Sequence, residues 1–252
     1  MHIHKPHHSV QKPSAVALSA QEAMWARLAV TTNNIANANT PGFKSHMIKL
    51  VNTTQKGKES RVVHYVAADK SIRNVANGSY RQTGNRFDTA IIGKGYFKVE
   101  TDKGQYLTRN GQFALNGNNE LVTATGSFCI LDQNSAHITI PQNTKEIIIN
   151  SNGGVYADAV LLGTVGVFSV DDEQEQLRSL GNNLLDPMDQ ILKPSDSYHI
   201  KQFGLEDSNV SGVSESIIMM ETLRHFENAQ KIIEEQDQSS KKVFNVSHKN
   251  VQ

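Results

Sequence analysis

Four histidines, His2, His4, His7 and His8, stand close together at the start of the chain. Imidazole is a common transition-metal ligand, so this cluster could chelate an ion. Histidine-rich termini also bind metal without a biological role, and neither a metal nor another cofactor is expected here. The stretch "GKGYF", Gly93 to Phe97, suggests a phosphate loop, but it lacks the earlier glycine and the hydroxyl residue after lysine. Lys98 stands where a dinucleotide fingerprint needs its third glycine, so a turn into a strand is the better reading. Cys129 is the single cysteine, which excludes an intramolecular disulfide and a cysteine-rich zinc site. In "SFCIL" it reads as a small buried hydrophobe. His64, His137, His199 and His225 are scattered, and His137 in "HITI" reads as a strand residue facing solvent. No serine or cysteine occupies a nucleophile-elbow sequence, "TATGSF" included. Asp171, Asp172, Glu173 and Glu175 form an acidic run that reads as a solvated loop. No catalytic residue is expected, and the chain reads as a non-enzyme.

Composition narrows the partners. The chain has 252 residues, with Lys and Arg matching Asp and Glu at 25 each. That balance argues against a general nucleic-acid or membrane-surface partner, which would favour a basic excess. No apolar run is long enough to span a membrane, and "MHIHKPHHSVQKPS" has no signal-peptide pattern. A cytoplasmic protein, or one leaving by a route that reads no such signal, is expected.

The elements that must position any function fall into three textures. Residues 14–37 lack Gly and Pro, and Leu18, Trp25, Leu28 and Ile35, with Gln21 and Thr32 between, alternate at spacings of three and four. This predicts a helix roughly 35 Å long with one narrow apolar seam. From about 80 to 200, short runs such as "GYFKVE", "QYLT", "QFAL", "ELVT", "HITI" and "EIIIN" are punctuated by Asp102-Lys103-Gly104, Asn116-Gly117 and Asn152-Gly153-Gly154. Short strands with regular turns predict an all-β, sandwich- or barrel-like domain. In "GYFKVE" a half-buried alternation is expected, with Phe97 and Val99 inward against Tyr96, Lys98 and Glu100. From about 208, with Ser208 or Asn209 as the cap and Glu215 suiting the dipole, a second helix carries Met219, Leu223, Phe226 and Ile233, with Gln230 between, at three-four spacing. The expected fold is therefore mainly β, bracketed by terminal coiled-coil-type helices. Its expected segments are a flexible extension at 1–13, a helix and turn at 14–45 and a connecting segment at 46–79. They continue with a β-rich domain at 80–203, a helix at 204–240 and a flexible tail at 241–252.

The first helix runs into "TTNNIANANTPGFKS", residues 31–45. Asparagines compete for backbone hydrogen bonds and favour left-handed geometry, so Asn37 or Asn39 is expected to end the helix. Pro41 presets a corner and Gly42 supplies the positive φ of a type II turn, with Phe43 emerging as an apolar anchor.

Asn34, Ile35, Ala36, Asn37, Thr40, Pro41, Gly42, Phe43 and Lys44 occupy a pattern that resembles the signature of bacterial flagellar rod, hook and hook-associated proteins. "QTGNRFDTAIIGKGYFKVE" with "YLTRNGQFALNGNNELVTATG" is similar to the family's β region, and "LEDSNVSGVSESIIMMETLRHFENAQKIIEEQD" to its C-terminal helix. Arg86-Phe87-Asp88 departs from the Pro-Leu-Asp usual there. The resemblance implies a structural subunit of the basal-body rod, exported by the flagellar type III apparatus and assembling with itself and other rod subunits. It implies no nucleic acid and no membrane span. The short segment 46–79 is similar to a proximal rod protein, whereas a distal one carries an insertion there. Leu18, Trp25, Leu28, Ile35, Met219, Leu223, Phe226 and Ile233 are the expected packing residues between subunits. A distal rod or hook-like subunit, an adhesin of the same family, and a soluble β-rich enzyme or ligand-binding domain remain the alternatives.

Overall fold

The computed structural model describes residues 13–56, 62–171, 177–188 and 190–249. The histidines at 2, 4, 7 and 8, and Asp172, Glu173 and Glu175 of the acidic run, lie outside them. The chain is mainly β, with a helix near each end. It divides into two compact units. The first is drawn from Met1–Asn33, Met47–Ser71 and Val213–Gln252, and the second from Asn34–His46 and Ile72–Gly212.

The first unit holds most of α1 (Pro13–Ala36), of α2 (Gly212–Lys249) and of the paired strands His46–Lys56 and Val62–Arg73. Pro13 opens α1 where a missing N–H costs no helical hydrogen bond. The expected segment at 46–79 thus contains two long strands, and the expected unit at 14–45 is split, its helix in one unit and its turn in the other. α2 differs at both ends from the expected 204–240. Residues Gly204–Glu206 are a strand, and the helix begins at Gly212, because Ser208 and Asn209 spend their side chains on other backbone groups. At the far end the helix continues to Lys249, since residues 239–249 contain no Gly or Pro to stop it.

The second unit is built on antiparallel pairings. Tyr96–Thr101 is the central strand: Gly104–Thr108 lies along one edge, Cys129–Ile130 and Val167–Ser169 along the other. Beyond them the sheet extends to Leu184–Asp186 and Arg178–Gly181 on one side, Leu121–Thr123 and Phe113–Leu115 on the other. The half-buried alternation expected for "GYFKVE" is corrected here. Tyr96, Phe97, Lys98 and Val99 are all buried, because the strand carries an apolar cluster on each face. Phe97 and Val99 join Phe113, Leu121, Ile130 and Val155 on one face, and Tyr96 joins Leu107, Phe168 and Leu185 on the other. Lys98 survives burial by laying its ammonium 4.3 Å from the Phe168 ring centroid and donating to Ser135 Oγ at 2.6 Å. Burial nonetheless pushes its pKa below the ordinary lysine value.

The turns mostly follow their residues. Gly104 and Gly153 take positive φ within their turns, whereas at Asn116-Gly117 the left-handed position falls on Asn119. Asn116 instead accepts from the N–H groups of Asn118 and Glu120, which holds a longer loop. The run "HITI" forms isolated bridges at His137 and Thr139.

Candidate assembly face and the buried signature turn

Both terminal helices bury small residues and expose large ones. In α1 the buried positions include Ala17, Ala23 and Thr31, and in α2 they include Thr222 and Ala229. The expected seam lies one position away from this line for much of its length. Leu18 is 52% exposed, Trp25 59% and Leu223 41%, while Leu28, Ile35, Met219, Phe226 and Ile233 are half-buried. Val213, Ile217, Met220 and Ile232 add to the exposed apolar surface of α2. Trp25 and Phe226 meet edge to face with centroids 5.9 Å apart, so one expected residue from each helix is brought together. The alanine and threonine positions were missed because periodicity was counted on large apolar residues; their recurrence about every two helical turns was the available signal.

The stretch after α1 folds into the second unit. The helix ends through i→i+3 bonds, Asn37 N–H to Asn34 O at 3.1 Å and Ala38 N–H to Ile35 O at 3.1 Å. Neither Asn37 nor Asn39 adopts positive φ, so the left-handed cap expected at one of them is corrected to this tightened last turn. Asn34 does different work. Its amide donates to His46 O at 2.8 Å and accepts from His46 N–H at 2.9 Å, clamping the start of the following strand. Phe43 N–H then closes on Thr40 O at 3.2 Å around Pro41 and Gly42, whose φ is 70°, as the type II turn requires. The turn sits against backbone: Gly42 N–H donates to Glu206 O at 2.8 Å, and a Cβ on Gly42 would lie 2.5 Å from the Arg109 carbonyl.

Beneath the turn lies a buried charge cluster. Glu206 Oε1 accepts from Lys44 Nζ at 2.6 Å and from Gly78 N–H at 2.9 Å, and its Oε2 accepts from Arg109 Nε at 2.6 Å. All three charged side chains are at most 5% exposed. Arg109 also donates to the carbonyls of Gly95, Ile91 and Gly93, and Lys44 to that of Ala76. Two cations against one anion leave a surplus positive charge, which these carbonyl dipoles offset. Asn209 ties in the last segment, accepting from Ser45 N–H at 2.7 Å and donating to the carbonyls of Asn74 and Ala76. His46, half-buried beside the Arg73 charge, has its pKa pushed down to about 4 by burial first and Arg73 second. The cluster's charges satisfy one another, so it can lock geometry but offers no reactive group to a substrate. Arg109 and Glu206 were not singled out as site residues, although both lie within quoted motifs; only the fold shows that they meet Lys44.

Comparison with known proteins agrees with this convergence. Residues 15–44 match the profile described as flagella basal body rod protein, 90–157 that of the flagellar hook protein FlgE/F/G D1 domain, and 201–246 that of the flagellar basal body rod FlgEFG protein C-terminal. The flagellar basal-body rod protein FlgF of Mesorhizobium japonicum is 32% identical over 228 residues, covering 89% of this chain and 93% of that protein. FlgF of Rhizobium meliloti is 30% identical over 231 residues, covering 91% of this chain and 95% of that protein. The FlgG rod protein of Agrobacterium fabrum is 31% identical, but its alignment needs 254 positions to cover 89% of this chain and 95% of its own. With matches at this identity along nearly the whole chain, the protein belongs to the flagellar basal-body rod protein family.

Proposed function

We propose that this chain is a structural subunit of the flagellar basal-body rod, of the proximal type, incorporated through α1 and α2. The observation that carries the proposal is the placement of side chains on the two helices. Large apolar residues such as Leu18, Trp25 and Leu223 face outward while alanine and threonine are buried, the reverse of what a self-sufficient helix pair needs. Neighbouring rod subunits that pack coiled-coil helices against these residues would remove that surface from water, at about 25 cal/mol per Å² of apolar area. Helices exposed in this way are marginal alone, so their full ordering belongs to the assembled state. The second unit, built on antiparallel sheets, would make lateral contacts between neighbouring subunits. Expected delivery is through the flagellum's own export apparatus, without a cleaved signal peptide, to the periplasm-spanning rod. Among the described residues no helix is long and apolar enough to cross a membrane.

The proximal assignment is supported by the economy of the FlgF alignments and by the shortness of segment 46–79, between the Thr40–Phe43 turn and Thr83-Gly84-Asn85. Mass spectrometry of hook–basal-body complexes isolated from the native organism tests the proposal. A few copies per particle are expected. Many copies would move the assignment to a distal or hook-like subunit, and none, with other rod proteins present, would overturn it.

A further inference from the structure

Four side chains with metal-ligand chemistry, Glu100, Glu120, Cys129 and His137, meet on the nine-stranded sheet of the second unit. Cys129 is paired directly across from Glu100 and from Val122, and Glu120 lies two residues before Val122 on the same face. A bridge between Leu131 and His137 brings the histidine over the end of this row. The ligand atoms of Glu120, Cys129 and His137 all lie within 4.8 Å of one another. His137 Nδ1 is 3.0 Å from Glu120 Oε1, and its Nε2 is 2.6 Å from Glu100 Oε2. Asn116 Nδ2 donates to the other Glu120 oxygen at 2.7 Å, which fixes the carboxylate with Oε1 toward the ring.

From this arrangement we infer a divalent transition-metal site, of Zn²⁺ type, with Glu120 Oε1, Cys129 Sγ and His137 Nδ1 as ligands. One thiolate, one imidazole and one carboxylate form a mixed donor set that suits Zn²⁺, with water completing the tetrahedron. A tetrahedral Zn²⁺ site, with bonds of about 2.0–2.3 Å, places its ligand atoms roughly 3.3–3.8 Å apart, so a contraction of under about 1.5 Å closes it. The supporting contacts are already present. Glu100 holds the Nε2 side of His137, leaving Nδ1 for the ion, and Asn116 aims Glu120. Burial, then the carboxylates of Glu120 and Glu100, push the Cys129 thiol above its ordinary pKa, and Glu100 and Glu120 raise that of His137. A divalent cation satisfies the negative charge of the two carboxylates, and the thiol gives up its proton to solvent on ligating it. The ion would staple the loop carrying Glu120, the strand Cys129–Ile130 and the segment carrying His137.

Cobalt(II) reports the site through its thiolate charge-transfer absorption, which histidines alone do not produce. The full chain, with its thiol shown to be reduced, is titrated with Co²⁺ near neutral pH, in its native form and with His2, His4, His7 and His8 changed to alanine. One Co²⁺ per chain is expected to generate the band in both, with Zn²⁺ abolishing it. Cys129→Ser should lose the band, while His137→Ala and Glu120→Gln should weaken Co²⁺ binding at least tenfold. Glu100→Gln should weaken it about 10–100-fold as a supporting contact. No band from the native chain, where no substitution can have disturbed the fold, would overturn the inference and leave His137 as a carboxylate-paired histidine. A band unmoved by His137→Ala and Glu120→Gln would also overturn it, showing adventitious binding to the thiol.

Discussion

Replacing Glu206 with glutamine removes the one anion between two buried cations while keeping nearly the same shape. The native cluster carries a net charge of plus one, and Glu206→Gln raises it to plus two. Breaking a buried pair from one side costs about 3–5 kcal/mol, because the remaining charge keeps its desolvation penalty without its partner. Lys44→Met acts in the opposite sense, leaving a neutral Arg109–Glu206 pair. The acceptors that Lys44 abandons are still served: Ala76 O by Asn209, and Asn77 Oδ1 by Arg109. Its cost should be about 1–2 kcal/mol, the range for a charged hydrogen bond lost with partial compensation. Urea unfolding of the full chain separates the two units. Trp25, the single tryptophan, reports the first, and all tyrosines except Tyr65 lie in the second. The tyrosine near-ultraviolet dichroism transition should move to markedly lower urea in Glu206→Gln and only slightly in Lys44→Met. Equal shifts, or a larger shift in Lys44→Met, would refute the charge reasoning.

Gly42→Ala should destabilise the second unit by about 3 kcal/mol, from a φ of 70° and a Cβ lodged against the Arg109 carbonyl. Gly84→Ala shares the positive φ but meets nothing within 4 Å, so in parallel denaturation it should cost only about 1 kcal/mol. The depressed pKa of His46 makes the folded state bind fewer protons than the unfolded chain between about 6.5 and about 4. Its contribution to stability is therefore complete above pH 6.5 and is lost as pH falls through that window. After solvent screening of a half-buried ring the loss is on the order of 1–2 kcal/mol. The difference in urea midpoint between the native chain and His46→Asn, followed from neutral to mildly acid pH, measures it.

Much of the architecture was legible from local chemistry. Short strands between Gly- and Asn-rich turns, and amphipathic stretches at both ends, are properties of nearest neighbours in sequence. The turn at Thr40 to Phe43 was readable for the same reason, since Pro41 and Gly42 restrict their own backbone. What was not legible depends on long-range meetings. Whether Tyr96 faces solvent depends on a second apolar cluster contributed by Leu107, Phe168 and Leu185. That Lys44 and Arg109 share Glu206 joins residues far apart in the chain. Cys129 illustrates the limit. "SFCIL" reads as apolar, yet strand pairing places the half-buried thiol beside Glu120 and His137. At Leu18, Trp25 and Leu223 the large residues that mark periodicity turn outward, whereas fully buried helix positions such as Ala17, Ala23, Thr222 and Ala229 are small and leave no apolar mark in the sequence.

The central claim, that outward-facing apolar residues of the terminal helices carry assembly, is tested most directly in isolated basal bodies. A strain whose only copy carries Leu18→Glu and Leu223→Glu is compared with one carrying the native chain, by quantitative mass spectrometry of purified particles. Both positions are exposed in the single chain, so the variant should accumulate with its second unit folded. The account predicts recovery in particles below about a tenth of native, since placing a charge in a packed apolar contact costs several kcal/mol. Native recovery of the double variant would contradict it.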